Sequence, residues 1–147
     1  MNSDIERLYR EVMKDHYTNP RNKGLRGYKE SSHKFNPSCG DDITIEANIE
    51  NGVLKNVCHS GQGCLICCSS ASVMCEVLEG KKIEEANELI KVFFEMLMAS
   101  LSKEELSKYE DALEEAFVYQ GVSKYPARIK CAALPWKALE EVIINHK

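Results

Sequence analysis

Cysteine and aspartate side chains occur in three short stretches of the sequence that have the composition of loops. In the first, Asn-Pro-Ser-Cys-Gly-Asp at 36–41, Pro37 and Gly40 favour a turn, so that Cys39 and Asp41 are able to face one point. The other two stretches are Gly-Gln-Gly-Cys at 61–64 and Arg-Ile-Lys-Cys at 128–131, which end at Cys64 and Cys131.

Three thiolates and one carboxylate together form a four-ligand set. Such a set suits tetrahedral Zn²⁺, with bonds of about 2.3 Å to sulfur and about 2.0–2.2 Å to oxygen. The same soft donors suit iron–sulfur chemistry, so the donor types alone leave the metal open. Asp41 adds a harder and more exchangeable ligand, which a reactive site needs and a closed structural zinc site does not.

The second and third stretches are each expected next to the start of a helix. The glycines before Cys64 allow the backbone to approach closely, and the cysteine then stands near a helix N-terminus. Cys131 is expected just before the last helix. There the helix dipole, with Arg128 or Lys130, favours its thiolate.

Length and composition narrow the class of protein. The chain has 147 residues and a mass of 16.6 kDa, which predicts a single domain over 1–147. The net charge of −4 argues against nucleic-acid binding, and we expect no membrane partner because no run approaches the roughly 20 apolar residues of a membrane span. The beginning of the sequence resembles no secretion signal, so we expect a cytoplasmic protein. In a cytoplasmic protein, seven cysteines favour thiolate or metal chemistry over disulfide bonds.

Periodicity of apolar residues predicts an α+β fold. Alternation with period two places strands at 42–50 and 53–58, joined by a hairpin at Asn51-Gly52, and a third strand at 32–35. Spacings of three and four residues, with capping boxes at Ser3/Glu6 and Ser102/Glu105, predict helices at 3–17, 67–79, 83–99, 102–117 and after Cys131. The segment 121–128 is expected to be a connector, and Pro135 to lie in the first turn of the last helix. The expected architecture is a small antiparallel sheet of about three strands packed against about four to five helices.

Three motifs in a fixed order make the chain similar to a known family. Asn-Pro-x-Cys-Gly-Asp, Gly-x-Gly-Cys-x-Ile and Arg-Ile-Lys-Cys-Ala-x-Leu-x-Trp resemble the iron–sulfur cluster assembly proteins of the IscU/NifU N-terminal superfamily, with a SufE/NifU-like fold. The resemblance extends from Leu8 to Leu139. The chain looks most like the SufU-type branch, because it has an extra segment at about 100–122. In addition, Lys130 stands where the IscU branch has a histidine before its last cysteine.

The resemblance implies sulfur transfer at a zinc site. The implied zinc ligands are Cys39, Asp41, Cys64 and Cys131. Cys39 is the implied acceptor of the terminal sulfur of a persulfide on a PLP-dependent cysteine desulfurase of the SUF type, after a histidine of the partner replaces it on the metal. Arg128 is expected to orient the partner or to stabilise anionic sulfur. Downstream, the sulfur would reach a cluster scaffold or apo-proteins, and the chain would activate the desulfurase without independent turnover.

Two alternatives remain at the sequence level. In the first, the same four residues hold iron and a nascent [2Fe–2S] cluster, as in an IscU-type scaffold. In the second, the C-x-x-C pair Cys64 and Cys67 acts as a dithiol oxidoreductase, although the predicted elements lack the βαβ unit that a thioredoxin-like protein would need. Cys67 could also compete for the metal or resolve a persulfide, whereas Cys58, Cys68 and Cys75 are expected to pack as small hydrophobic side chains. His59 is expected to be a half-exposed strand residue rather than a ligand.

Overall fold

The computed structural model describes residues 3–146 and has the α+β architecture expected from the sequence. Its strands are β1 Glu30–Asn36, β2 Asp41–Glu50 and β3 Val53–Gln62. Its α-helices are α1 Ser3–Thr18, α2 Leu65–Leu78, α3 Ile83–Leu97, α4 Lys103–Ser107, α5 Glu110–Leu113 and α6 Pro126–Asn145, with a 3₁₀ helix at Glu114–Lys124. None of the helices in this described part of the chain is long and apolar enough to cross a membrane. The Ser3 side chain, and with it the first expected capping box, lies outside the described side chains.

The three strands form one antiparallel sheet in the order β1-β2-β3. Asn51 and Gly52 both have positive φ, at 51° and 74°, as the tight turn predicted between β2 and β3 requires. Strand β1 pairs with β2 so that Asn36 lies opposite Asp41, which places the first loop motif at one end of the sheet. The period-two pattern is confirmed, since the alternate residues Ile43 and Ile45 of β2 are buried.

Helices α2 and α6 form the centre of the layer that covers the sheet. Ser70 of α2 donates a hydrogen bond to the Ala132 carbonyl at 2.7 Å and accepts one from the Trp136 indole N–H at 3.0 Å. The Trp136 ring stacks on Phe93 of α3 with 3.9 Å between ring centroids. These contacts fix α6 against α2, and therefore fix Cys131 relative to the start of α2.

The last helix begins earlier than the sequence analysis predicted. Pro126 occupies its first turn, where a missing N–H costs nothing, so the predicted connector at 121–128 is wrong over its final residues. Cys131 consequently lies inside α6, and Pro135 is an interior residue rather than a first-turn residue. Because proline has no N–H, it leaves the Cys131 carbonyl without its usual helical partner.

The predicted helix at 102–117 is interrupted. The capping box is confirmed, with Ser102 Oγ accepting from the Glu105 N–H at 3.1 Å, but α4 ends at Ser107. A second short helix ends at Leu113, and Glu114 then has a positive φ of 51°, a conformation that no α-helix continues through. The chain proceeds as a 3₁₀ helix that leads directly to α6.

Candidate metal site

The structure brings three of the four expected ligands to one point. The Cys39 sulfur, a carboxylate oxygen of Asp41 and the Cys131 sulfur all lie within 4.8 Å of one another. The two sulfur atoms are 3.1 Å apart, and Asp41 and Cys131 are fully buried, whereas Cys39 is partly exposed. The cluster therefore offers two buried donors and one donor that reaches the surface.

The turn between β1 and β2 positions Cys39 and Asp41. The Cys39 N–H donates to the Asn36 carbonyl at 3.3 Å, which closes the turn, and Gly40 follows with a φ of +69°. This left-handed conformation favours glycine and returns the chain to Asp41, the first residue of β2. The proline and glycine of the motif thus place the thiol and the carboxylate on the same side of the turn.

Asp41 is held on both of its carboxylate oxygens. Oδ1 accepts a hydrogen bond from the Cys64 N–H at 2.9 Å, and Oδ2 accepts one from Asn36 Nδ2 at 3.2 Å. The Asn36 amide also donates to the Cys131 sulfur at 3.8 Å. Sequence reasoning gave Asn36 no role, although it is the first residue of the motif that contains Cys39 and Asp41.

Cys64 lies next to the cluster but is not one of its three mutually close donors. It is the N-cap of α2, as expected for a cysteine at a helix start, and its sulfur accepts a hydrogen bond from the Cys67 N–H at 3.4 Å. It is nevertheless close enough to Cys131 to raise the pKa of that thiol by hydrogen bonding and by charge. Cys64 is thus placed to be a fourth donor.

The Cys131 thiol has a pKa raised well above the ordinary cysteine value. Burial is the main cause, and hydrogen bonding to Cys39, Asp41 and Cys64 raises the pKa further. The expected thiolate stabilisation by the start of α6 is wrong, because Cys131 lies beyond the first turn, where the effect of the helix dipole has faded. Ionising several acidic groups at one point is unfavourable unless a cation binds them, and sulfur donors with one carboxylate match Zn²⁺.

Arg128 lies beside the exposed donor of the cluster. It is in the first turn of α6, and its Nη1 donates to the Cys39 sulfur at 3.6 Å. The hydrogen bond to Cys131 and the nearby Cys64 and Cys39 sulfurs raise the pKa of Arg128, so its guanidinium stays charged. Arg128 therefore places a positive charge beside the Cys39 sulfur.

The remaining cysteines are poor nucleophiles. Cys67 and Cys75 are fully buried, and burial raises the pKa of each thiol far above neutrality. Burial, with Glu46 nearby, also raises the pKa of Cys58 to about 11. Cys68 is half-buried, and its pKa is raised for the same reason. A buried protonated Cys67 argues against the dithiol alternative, since only the thiolate attacks.

Two histidines near Arg21 are buried, and for His59 this differs from the expectation. His59 is 3% exposed rather than half-exposed, and its Nε2 donates to the Arg21 carbonyl at 2.9 Å. His16 is fully buried and belongs to a chain of three hydrogen bonds, each 2.8 Å long. The Arg21 N–H donates to Ser72 Oγ, which is bonded to His16 Nδ1, and His16 Nε2 is bonded to the Glu115 carboxylate. With Ser72 donating to Nδ1 and the Nε2–H donating to Glu115, the chain is satisfied without an ion.

Fold and site together define a small domain that presents a cysteine- and aspartate-rich centre at one end of its sheet. The family model for the NifU-like N-terminal domain matches residues 8–132, and the chain belongs to this family. It is 39% identical over 148 residues to the "zinc-dependent sulfurtransferase SufU" of Bacillus subtilis, covering 99% of this chain and 96% of that protein. It is 36% identical over 141 residues to the "iron-sulfur cluster assembly scaffold protein IscU" of Streptococcus pyogenes, covering 96% and 86%.

Solved structures agree with the fold. A crystal structure described as a putative iron–sulfur cluster assembly scaffold protein for the SUF system, from Fervidobacterium islandicum, superposes with a TM-score of 0.79. It has 29% sequence identity, and the match covers 90% of this chain and 94% of that one. The resemblance stated from three motifs is therefore confirmed across nearly the whole chain.

Proposed function

We propose that this protein is a zinc-dependent sulfur acceptor that supports iron–sulfur cluster assembly, with Cys39 as the accepting residue. The observation that carries the proposal is the position of the Cys39 sulfur: it is the exposed member of a buried Cys/Asp/Cys cluster, with an arginine 3.6 Å away. The similarity to a zinc-dependent sulfurtransferase supports the same function.

The proposed zinc ligands are Cys39, Asp41 and Cys131, with Cys64 as the fourth. When bound, zinc would keep the ligand thiols deprotonated at neutral pH. Asn36 and the Cys64 N–H orient the Asp41 carboxylate through the two hydrogen bonds on its oxygens. Hydrogen bonds that hold a metal ligand in place, from groups that do not bind the metal themselves, raise metal affinity.

Sulfur transfer to Cys39 is a thiol exchange. The Cys39 thiolate attacks the terminal sulfur of a persulfide on the donor protein, the new sulfur–sulfur bond forms on Cys39, and the donor cysteine leaves as its thiolate. Arg128 stabilises the negative charge on the Cys39 sulfur before and after this step. The proposed donor is a PLP-dependent cysteine desulfurase of the SUF type, and the proposed recipients are a cluster scaffold or apo-proteins.

The proposed compartment is the cytoplasm. All seven cysteines lie within the described residues and are free thiols, and a site of free thiols fits a reducing compartment.

A cluster scaffold is the second candidate, because the same donor set suits iron and the chain is 36% identical to a protein named as an IscU scaffold. Anaerobic purification separates the two candidates, since a zinc protein is colourless whereas a [2Fe–2S] protein absorbs visible light. Visible absorbance with iron and sulfide in the preparation would replace the first candidate with the second.

The test of the site is elemental analysis of the wild type and five variants. We expect about one zinc per chain in the wild type and in Cys67→Ser. Zinc should be lost or weakened in Cys39→Ser, Asp41→Ala, Cys64→Ser and Cys131→Ser. The test of the function is mass spectrometry after incubation with a desulfurase and cysteine. A persulfide mass on Cys39 is expected in the wild type, and full transfer in Cys39→Ser would show that this assignment is wrong.

A further inference from the structure

An apolar groove with a basic rim lies along α1, and Arg128 beside the candidate site lines one end of it. It consists of two adjoining hollows of about 290 and 430 Å³ that share Arg10, Met13 and Ile66. Tyr9 and Tyr125 line the first hollow, and Leu65 lines the second. We call this feature the α1 groove, formed by Tyr9, Arg10, Met13, Leu65, Ile66 and Tyr125.

The groove adjoins the candidate site through Arg128 and Leu65. Arg128 lines the first hollow and at the same time donates to the Cys39 sulfur at 3.6 Å. Leu65, in the second hollow, directly follows Cys64 in the chain. A molecule seated in the groove would therefore contact Arg128, the residue that donates to the Cys39 sulfur.

The charge of the groove differs from that of the whole chain. The charged side chains that line the two hollows are the cations Arg7, Arg10, Lys14, Lys124 and Arg128 and the carboxylates Glu6 and Glu11. Arg7 also contacts Asp4 at 3.6 Å, and Arg128 contacts the Cys39 sulfur at 3.6 Å. Although the chain carries a net charge of −4, this surface is basic, and complementary charge is what an interface uses to select and steer its partner.

The groove also exposes side chains of the kind that anchor protein interfaces. Tyr125 is 62% exposed and Leu65 is 38% exposed, with Arg10 exposed between apolar neighbours. Tyrosine and arginine are enriched among the residues that carry most of the energy of an interface. An apolar floor with a basic rim fits an apolar segment flanked by carboxylates.

From this geometry we infer that the α1 groove docks the sulfur donor, through a segment of the donor that carries apolar side chains between acidic ones. The inference rests on the proposed function, because the donor is the desulfurase of that proposal. It adds the surface and the chemistry by which the donor is recognised, and it predicts that recognition and chemistry are separable by mutation.

The experiment compares two groove variants with two matched controls elsewhere. Arg10→Glu is paired with Lys137→Glu, both at exposed basic residues, and Tyr125→Ala is paired with Ile144→Ala, both at exposed large side chains. Each zinc-loaded protein is titrated with the desulfurase in the absence of cysteine, which measures binding without turnover. Sulfur acceptance is then measured over a range of concentrations of the chain.

We expect the Arg10→Glu/Tyr125→Ala double variant to raise both the Kd and the KM by about tenfold or more, which is about 1.4 kcal/mol. The controls, the zinc content and the kcat at saturation should stay at the wild-type values. Wild-type binding should weaken when salt rises from about 0.05 to about 0.5 M, and binding of the Arg10→Glu variant should weaken less.

Three results would overturn the inference. If the double variant binds the desulfurase as tightly as the controls do, the donor docks elsewhere. The proposed function would still hold in that case, provided that Cys39 of the wild type acquires a persulfide. Wild type that neither binds nor accepts sulfur would overturn both proposals together. If sedimentation velocity shows that the wild type is a dimer and the double variant a monomer, the groove binds a second copy of the chain.

Discussion

Gly63 and Asp41 are in such close contact that a side chain at position 63 would have to displace Asp41. A Cβ built on Gly63 would lie 2.5 Å from Asp41 Oδ1 and 3.1 Å from the Asp41 Cα. The next residue, Cys64, donates its N–H to the same oxygen at 2.9 Å. The missing side chain at 63 therefore lets the start of α2 reach the carboxylate.

Gly63→Ala is predicted to weaken zinc binding without unfolding the protein. The added methyl group has to push Asp41 or the Cys64 backbone away, which disturbs both the carboxylate and its hydrogen bond. Elemental analysis should show a loss of zinc comparable to that of Asp41→Asn, with an unchanged far-ultraviolet circular dichroism spectrum. Wild-type zinc affinity in Gly63→Ala would show that this contact has no role in metal binding.

Asn36→Ala is predicted to lower zinc affinity by about tenfold or more, the usual effect of removing a residue that orients a ligand. Its amide is shared between Asp41 Oδ2 and the Cys131 sulfur, so its loss frees two proposed ligands at once. Competition with a colorimetric chelator measures the affinity. Asn48→Ala is the matched control, since Asn48 bonds Asn56 and Glu50 within the hairpin. Equal affinities of the two variants would contradict the prediction.

The sequence was sufficient for the parts of the fold that depend on local patterns. Alternation in β2, the Asn51-Gly52 turn and the Ser102 capping box all have short-range causes, and all are confirmed. Asn36 had no such signal, because an asparagine before a proline has many local roles. Its function depends on Cys131, which is 95 residues away in the chain.

The burial of His59 also could not be read from its own strand. An irregular segment covers the outer side of β3: the His59 N–H donates to the Asn22 carbonyl at 3.1 Å, and the Gly24 N–H donates to the His59 carbonyl at 2.8 Å. Such a segment has no periodic pattern, so nothing in the sequence indicates where it packs. The early start of α6 has a different cause: Pro126 suits a connector and a first helical turn equally well, so the sequence does not distinguish the two.

Arg128→Ala is predicted to slow sulfur transfer to Cys39 about fivefold while leaving the zinc content unchanged. The guanidinium is exposed and 3.6 Å from the acceptor sulfur, so solvent screens its charge and its removal should slow the transfer only modestly. Single-turnover transfer from a desulfurase persulfide, followed by mass spectrometry, measures the rate. Lys130→Ala, at an exposed residue of the same helix, should transfer at the wild-type rate. Zinc loss in Arg128→Ala would instead show a structural role.

His59 is predicted to make the stability of the protein fall as the pH decreases below about 6.5, the ordinary pKa of histidine. Burial lowers the pKa of His59 in the folded state, and Lys23 lowers it further, whereas the hydrogen bond to the Arg21 carbonyl opposes these effects. Below pH 6.5 the unfolded chain therefore binds a proton that folded His59 does not, until the pH falls through the folded pKa. One such group changes the free energy of unfolding by up to about 1.4 kcal/mol per pH unit.

Urea unfolding at pH values from about 7.5 to about 5.5 measures this dependence, with a chelator present so that zinc binding does not contribute. His59→Gln retains a side-chain N–H for the Arg21 carbonyl but does not titrate, so its stability should fall less steeply with pH than that of the wild type. Parallel profiles for the wild type and His59→Gln would mean that His59 takes up its proton equally in the folded and unfolded states, which a buried imidazole facing a lysine does not do.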